Sequence, residues 1–546
     1  MKKTNLWLPL WIALGIAAGI FIGYIFAPML LRTTKPKSQL LGEENKIDEI
    51  FHYIDKAYVD TVNVDGLIER AIPTILSGLD PHSSYITAEE IQRSGDMLNG
   101  HFSGIGVEFI IYEDTVAVIR IIPNGPSEAV GILPGDRIVT VNDSLFAGTK
   151  LTNQRVLKTL RGVTGSTVKL GLKRDGQEFS VNVTRADVPV ESVNAAYKLA
   201  DNVAYIKISQ FGSTTYNEFI NAAAELKMQG CKAFIIDLQQ NGGGYLDAPR
   251  QLANEFLSAD ELIYYTEGRA YKRKDVYADG RGTCKGDQLV VLLDEASASA
   301  SEVFSGAMQD NDRALIVGRR SFGKGLVQQP FRFKDGSEMR LTIARYHTPS
   351  GRCVQKNYEI GNNDAYNQDL INRFMRGEFD SQDSIKIDNL PLFHTVYGNR
   401  PVYGDEGIMP DVFVPRDTTG QNSYYIKIVN SGVLREFTFI YCEKNREKMK
   451  TFKTWQEAAG FLATQPLAAE LADYAHEKGI YRRPKLIAES KVLLQTQIEA
   501  LILRNTYGEK AFYPVFQRDD VLINKALNLI KEGKATTESI RNSSYK

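Results

Sequence analysis

A serine-rich segment carries the first chemistry. The apolar run Leu289 to Leu293 leads into Asp294-Glu295-Ala296 and then Ser297-Ala298-Ser299-Ala300-Ser301-Glu302, where a helical pattern begins. A serine at a strand-to-helix turn is presented at the carboxyl end of a sheet, beside helix N–H groups that lack intrahelical partners and can receive a developing oxyanion. Ser299 is the candidate nucleophile and the Ala300 N–H its natural donor. The plainer alternative is an N-cap, since Ser299 with Glu302 three residues later also reads as a capping box. A serine needs a base, and the next strand, Ala314 to Val317, is followed by Gly318-Arg319-Arg320-Ser321-Phe322-Gly323-Lys324-Gly325-Leu326-Val327-Gln328-Gln329. Lys324 sits between two glycines, where its side chain can enter a crowded pocket. Burial disfavours the ammonium and lowers its pKa, so a buried lysine can accept the serine proton. Gln328 is spaced to orient the Lys324 amine. A phosphate loop is excluded because Gly325, not Ser or Thr, follows the lysine.

An oxyanion hole needs two donors. Gly242-Gly243-Gly244 follows the apolar strand Ala233 to Leu238 and precedes a helix. Gly243 is the candidate for the second donor, with the neighbouring glycines and a plain tight turn left open. The chemistry calls for no metal or cofactor. The six histidines, His52, His82, His101, His347, His394 and His476, read as turn, surface or core residues, and no G-x-S-G-G loop of a histidine-dependent protease is present. A non-catalytic adaptor with a decayed core is disfavoured because the Ser299, Lys324 and Gln328 set is intact.

These residues resemble the signature of the carboxyl-terminal processing proteases, also called tail-specific proteases. The resemblance implies that Ser299, the middle serine of S-A-S-A-S-E, is the nucleophile, that Lys324 of F-G-K-G, twenty-five positions later, is the general base, and that Gln328 supports it. Asp237-Leu238-Gln239-Gln240-Asn241-Gly242-Gly243-Gly244 resembles the family's D-L-R-x-N-x-G-G turn. Thr348-Pro349-Ser350-Gly351-Arg352 and Gly407-Ile408-Met409-Pro410-Asp411 resemble its closing motifs, and Leu79-Asp80-Pro81-His82-Ser83 its pre-PDZ segment. The resemblance runs over residues 45 to 416. It departs at Gln239, where the family has arginine, and over Asn357 to Asp405, an insertion between motifs that normally lie close together. Phe102-Ser103-Gly104-Ile105-Gly106-Val107-Glu108-Phe109 resembles the carboxylate-binding loop and following strand of a PDZ domain. Gly104, Ile105, Gly106 and Val107 would then hold a peptide's terminal carboxylate on successive N–H groups, while the strand edge accepts the peptide as an added strand.

The elements that must position these residues follow from the texture of the chain. Residues 45 to 76 carry a helical stripe, with Ile47, Ile50, Phe51 and Ile54 on one face. From Gly100, short β-rich runs alternate with turns, with one helix near Asn153 to Leu160. From Val203, apolar strands alternate with helices, which implies a largely parallel sheet covered on both faces. Residues 357 to 405 are polar and weakly periodic and read as an insertion or mobile loop. The last 120 residues return to helix, with Leu494, Ile498, Leu501 and Ile502 on one stripe and Val521, Ala526, Leu527 and Ile530 on another. The expected architecture is multidomain α+β. It comprises a signal anchor and linker over 1–38, a helical segment over 39–99, a PDZ domain over 100–186, an α/β protease core over 187–416 with its insertion near 357–405, and a helical region over 417–546.

Composition bounds the partners. Sixty-five Lys+Arg against sixty-six Asp+Glu leave a net charge of −1 over 546 residues, which offers no global field for nucleic acid. Four scattered cysteines show no zinc spacing and leave one or two disulfides open. Leu6 to Leu31 is a run of twenty-six uncharged residues, longer than the apolar stretch of a cleaved signal peptide and long enough to span a bilayer. It reads as an uncleaved transmembrane anchor with the short amino-terminal tail inside. The whole then reads as a single-pass, membrane-anchored serine endopeptidase whose catalytic part lies on the extracytoplasmic, periplasmic side. Its partners are proteins with exposed carboxyl-terminal tails, and a homo-oligomer or an adaptor protein is left open.

Overall fold

A computed structural model describes residues 45–91, 98–148 and 150–543. The apolar span expected over Leu6 to Leu31 lies outside them; among the described residues, no helix is long and apolar enough to cross a membrane. Residues up to Thr74 form one compact unit and those from Ile75 onward another. The helix Lys46–Ala57 begins at Asn45, whose side chain accepts the Ile47 N–H at 3.1 Å, and Val64–Ser77 is a second helix.

The larger unit is organised around a six-stranded sheet. Its order is Val193–Ala200, Val203–Ile208, Ala233–Asp237, Gln288–Leu293, Leu315–Gly318 and Val412–Phe413. The first pair is antiparallel and all later pairs are parallel. The central strands are buried along their whole length because both faces are covered. Ile206, Phe234, Val291 and Ile316 point to one face, where helices Thr215–Met228, Asp247–Asn254 and Ala300–Asp310 pack through Phe219, Leu252 and Phe304. Tyr205, Ile235, Val290 and Val317 point to the other, which is covered by the helix Val521–Lys531 through Leu522, Ile523, Ala526, Leu529 and Ile530. The expected stripe was therefore partly misplaced: Val521 is exposed, and the buried rows begin one residue later.

A second, antiparallel sheet joins Leu326–Arg332, Glu338–His347, Leu262–Glu267 and Lys274–Tyr277. Its further strand is Ser84–Ile86, which pairs with Glu338 to Arg340. The segment before the β-rich domain thus follows its helices with a short strand of this second sheet. The β-rich domain itself is an antiparallel sheet in the order Val107–Tyr112, Thr115–Ile121, Arg137–Val141, Thr167–Arg174 and Gln177–Thr184. The helix Asn153–Leu160 buries Val156 and Leu160 against it. Its entry and exit strands, His101–Gly104 and Ala186–Pro189, pair with each other.

The segment expected to be an insertion or a mobile loop is structured. It holds a helix, Asp364–Met375, and a ribbon of Leu392–His394 with Pro401–Tyr403. The helix buries only Tyr366 and Arg373, so polar anchoring replaces the apolar stripe that periodicity detects. Residues 423 to 516 form a helical domain around the 24-residue helix Pro484–Tyr507, with Leu494, Ile498 and Ile502 at its centre. All four cysteines are free thiols, so the disulfides left open by the sequence do not form.

Candidate active site

Three neighbouring parallel strands, Ala233–Asp237, Gln288–Leu293 and Leu315–Gly318, end side by side, and the loops leaving their carboxyl ends carry the three motifs. The middle loop delivers Ser299. Its backbone stands at φ 55° and ψ −112°, a conformation an L-residue holds at a cost of roughly 1–3 kcal/mol, so the surrounding contacts over-determine it. The next residue, Ala300, opens a fully buried helix. Expected as donor, its N–H is one of the first-turn amides without an intrahelical acceptor.

Glu302 fixes this loop against the base loop. Its carboxylate accepts the Ser299 N–H at 2.8 Å, the Lys324 N–H at 2.8 Å, the Gly323 N–H at 2.7 Å and the Ser321 hydroxyl at 2.5 Å. Burial pushes its carboxyl up, and these donors oppose that shift. The Glu302 half of the capping box therefore exists, and the same carboxylate also holds the Ser299 and Lys324 backbones together. Two further contacts join the loops: the Phe322 N–H donates to Ser297 O at 2.9 Å, and the buried Tyr346 hydroxyl lies 2.8 Å from Lys324 O and 3.3 Å from Ser299 O. Glycine is required at position 323, where φ is 91° and a Cβ would fall 3.0 Å from the Lys356 Cβ.

Lys324 is mostly buried, and desolvation is the main cause that lowers its pKa. Arg340 pushes the same way, while Glu302 and Asp80 oppose. Gln328 is close by in sequence, yet its amide nitrogen bonds Leu326 O at 3.2 Å and Thr342 Oγ1 at 3.3 Å. Thr342 in turn donates its hydroxyl to Asp80 at 2.9 Å, so the described partners of the Gln328 amide nitrogen are Leu326 and Thr342 and not the lysine amine that it was expected to orient.

The glycine turn lies directly against the nucleophile. A Cβ on Gly243, where φ is 102°, would fall 2.8 Å from the Ser299 Cβ and 3.0 Å from the Ala300 nitrogen, so only glycine fits. Its N–H, however, donates to Asn241 Oδ1 at 2.9 Å. That amide was expected to face the oxyanion and is instead committed to an Asx-type bond. Asn241 also anchors the turn to the serine loop, since its carbonyl accepts the Ala298 N–H at 3.0 Å and the Ser301 hydroxyl at 2.9 Å. Asp294 repeats the device from the other side, accepting the Gln240 N–H at 3.0 Å and the Ser297 N–H at 3.1 Å. At Gln239, the departure from the family arginine leaves a glutamine that bonds Asp237, while Lys207 supplies the cation at 3.1 Å from Asp237.

Residues 202–363 match the model of peptidase family S41, and residues 103–184 match the PDZ domain. The first match falls on the core that carries Ser299 and Lys324, and the second on the β-rich domain that precedes it. Residues 424–508 match a family of unknown function (DUF8443). The carboxy-terminal processing protease CtpB of Bacillus subtilis is 34% identical over 57% of this chain and 65% of its own length. A probable CtpA-like serine protease of Staphylococcus haemolyticus is 33% identical over 57% of this chain and 62% of its own. The chain thus spans somewhat under two thirds of those curated relatives. Among solved structures, the photosystem II D1 C-terminal processing protease is 29% identical, covering 56% of this chain and 89% of that one with a TM-score of 0.33.

In the PDZ domain, Gly104 ends the entry strand and Val107 begins the next, with Ile105 and Gly106 in the turn between. The turn is tied down by Ile105 O, which accepts the Ser127 N–H at 3.0 Å and its hydroxyl at 2.6 Å, and by Gly106 O, which accepts the Ile122 N–H at 3.0 Å. Val107–Tyr112 ends its sheet and pairs on one side only among the described strands. Of the four loop residues, Val107 opens that edge strand, whereas Gly104 pairs with Ala186 and Gly104, Ile105 and Gly106 are buried beside it.

Sequence reasoning missed four contributors to the peptidase site: Glu302 as a link between loops, Asn241 and Asp294 as anchors, and the turn Asp80 to Ser83 as a wall. Glu302 was legible as S-x-x-E but only for its local role. His82 is held neutral, its pKa lowered to about 4, first by burial and then by the Lys324 charge.

Proposed function

We propose that the chain is a membrane-anchored serine endopeptidase of the carboxyl-terminal processing type, with Ser299 as nucleophile and Lys324 as general base. The observation that carries this reading is the Glu302 carboxylate holding the Ser299 and Lys324 backbones at equal distances while burial depresses the lysine. Neutral Lys324 takes the hydroxyl proton as Ser299 Oγ attacks the scissile carbonyl. The Ala300 N–H and one amide of the glycine turn receive the oxyanion; with the Gly243 N–H held by Asn241, Gly242 or Gly244 supplies that amide unless Asn241 lets go. Collapse breaks the C–N bond, and Lys324 returns the proton to the leaving amine. Water then attacks the acyl-enzyme by the same route and frees Ser299. No metal or cofactor enters.

Substrates are proteins whose carboxyl-terminal tails the PDZ loop engages through Gly104, Ile105, Gly106 and Val107. Leu6 to Leu31 anchors the chain, and the short amino-terminal tail stays inside, which places the catalytic part on the extracytoplasmic side. A reporter protein ending in an apolar tail tests the reading. Wild-type enzyme should degrade it, Ser299→Ala should not, and a charged tail should slow wild-type cleavage. Degradation at the wild-type rate by Ser299→Ala would overturn the assignment.

A further inference from the structure

The base loop has a second support that the mechanism leaves unused. Arg373, on the inserted helix Asp364–Met375, is 1% exposed. Its guanidinium donates to Ser321 O at 2.9 Å and to Arg320 O at 2.7 Å, two consecutive carbonyls of the loop that delivers Lys324. Glu378 holds that guanidinium at 3.2 Å and also pairs with Arg320 at 2.7 Å, so the fork cannot swing away. Two turns before Arg373, and so on the same helix face, Tyr366 sets its ring edge-on against Phe322, with centroids 5.9 Å apart. Its hydroxyl meets His82 Nε2 at 2.7 Å. Lys356 Nζ lies 4.0 Å above the Phe322 ring and 4.1 Å above that of Tyr366, and bonds Asp369 at 2.9 Å.

Glu302 therefore grips the base loop through its N–H groups from the nucleophile side, while Arg373 grips it through its carbonyls from the insertion side. A loop held by both its donors and its acceptors has little freedom to displace the side chain it carries. The His82–Tyr366 pair closes the same region from the third side.

We propose that Arg373 and Tyr366 are positioning residues for Lys324, and that the inserted segment is a brace that holds the base loop in place and keeps water from the lysine. The proposal rests on Lys324 being the base. The charged and titratable groups that act on Lys324 are Glu302 from the nucleophile helix, Arg340 from the strand Glu338–His347, and Asp80 and His82 from the turn before the PDZ domain. None belongs to the insertion, so its effect on Lys324 is through position and hydration and not through charge.

The test uses full-length enzyme with Arg373→Lys, which keeps the charge and loses the fork, and Tyr366→Phe, which keeps the ring and loses the bond to His82. Misplacing a general base forfeits part of its roughly 10²–10⁴-fold contribution. Arg373→Lys should lower kcat about tenfold with KM within twofold, and Tyr366→Phe about threefold. Better hydration returns Lys324 toward its ordinary, higher pKa, so the rising limb of the pH–rate profile should move to higher pH in both. Wild-type kcat and an unmoved limb in both variants would overturn the proposal. So would a lowered yield of folded enzyme whose kcat and limb, per folded molecule, match wild type. Lys324→Ala separates the two readings: full activity in that variant sinks the dyad, whereas an inactive Lys324→Ala beside unaltered Arg373→Lys and Tyr366→Phe sinks only the brace.

Discussion

The peptidase loops and the PDZ loop are both built around glycines, yet they are held in opposite ways. At the peptidase site, backbone N–H groups of Ser299, Gly323 and Lys324 are consumed by one buried carboxylate, and Gly243 by Asn241. At the PDZ loop the carbonyls of Ile105 and Gly106 are tied back, while the following strand keeps an open edge. One site ties down its amides, and the other ties down its carbonyls beside a strand edge left unpaired among the described strands. Damage to the first should therefore appear in kcat, and damage to the second in KM.

The largest break in that comparison is removal of the chemistry. Ser299→Ala and Lys324→Ala should each lower kcat by roughly 10³-fold or more while tail-peptide binding to the PDZ domain, followed by titration calorimetry, stays at the wild-type value. Next is Glu302→Gln, which keeps the volume but removes the charge and one acceptor oxygen. It should lower kcat about 10²-fold in steady-state assays with KM within twofold, because two of the four donors lose their acceptor oxygen and meet an amide nitrogen instead. On the PDZ side, Gly106→Val places a branched side chain at φ 74° and should raise KM for a tail-bearing substrate about tenfold. Cleavage of an unfolded substrate lacking a free apolar tail should change little.

The smallest effect concerns stability. The folded pKa of His82, about 4, lies below its ordinary 6.5, so the unfolded chain binds the extra proton first as pH falls. The contribution is fully present above about 6.5 and is lost as pH falls toward about 4, on the order of 2–3 kcal/mol. Denaturant titrations of His82→Gln should show a flatter decline of stability across that window than wild type.

Much of this organisation was legible in the sequence because it rests on local chemistry. Near-continuous apolar strands announced a sheet buried on both faces, and the Ser299 and Lys324 motifs stood at strand ends, where function concentrates. What escaped is non-local. Nothing near Glu302 reports that its carboxylate reaches Lys324, and nothing near Tyr366 reports that its hydroxyl meets His82, 284 positions away. The inserted helix was missed because two buried polar or aromatic anchors, Tyr366 and Arg373, make no apolar period. The Gly243 donor was misjudged because a glycine's freedom to present an N–H says nothing of Asn241 claiming it.

The central claim is that Lys324, its pKa lowered by desolvation, is the base. The pH dependence of kcat/KM on a tail-bearing peptide tests it most directly. The account predicts a rising limb at a pH below the ordinary lysine value of 10.5, absent from the residual activity of Lys324→Ala. A limb that persists in Lys324→Ala, or that vanishes in His82→Gln while Lys324→Ala keeps it, would contradict the account and move the base to another residue.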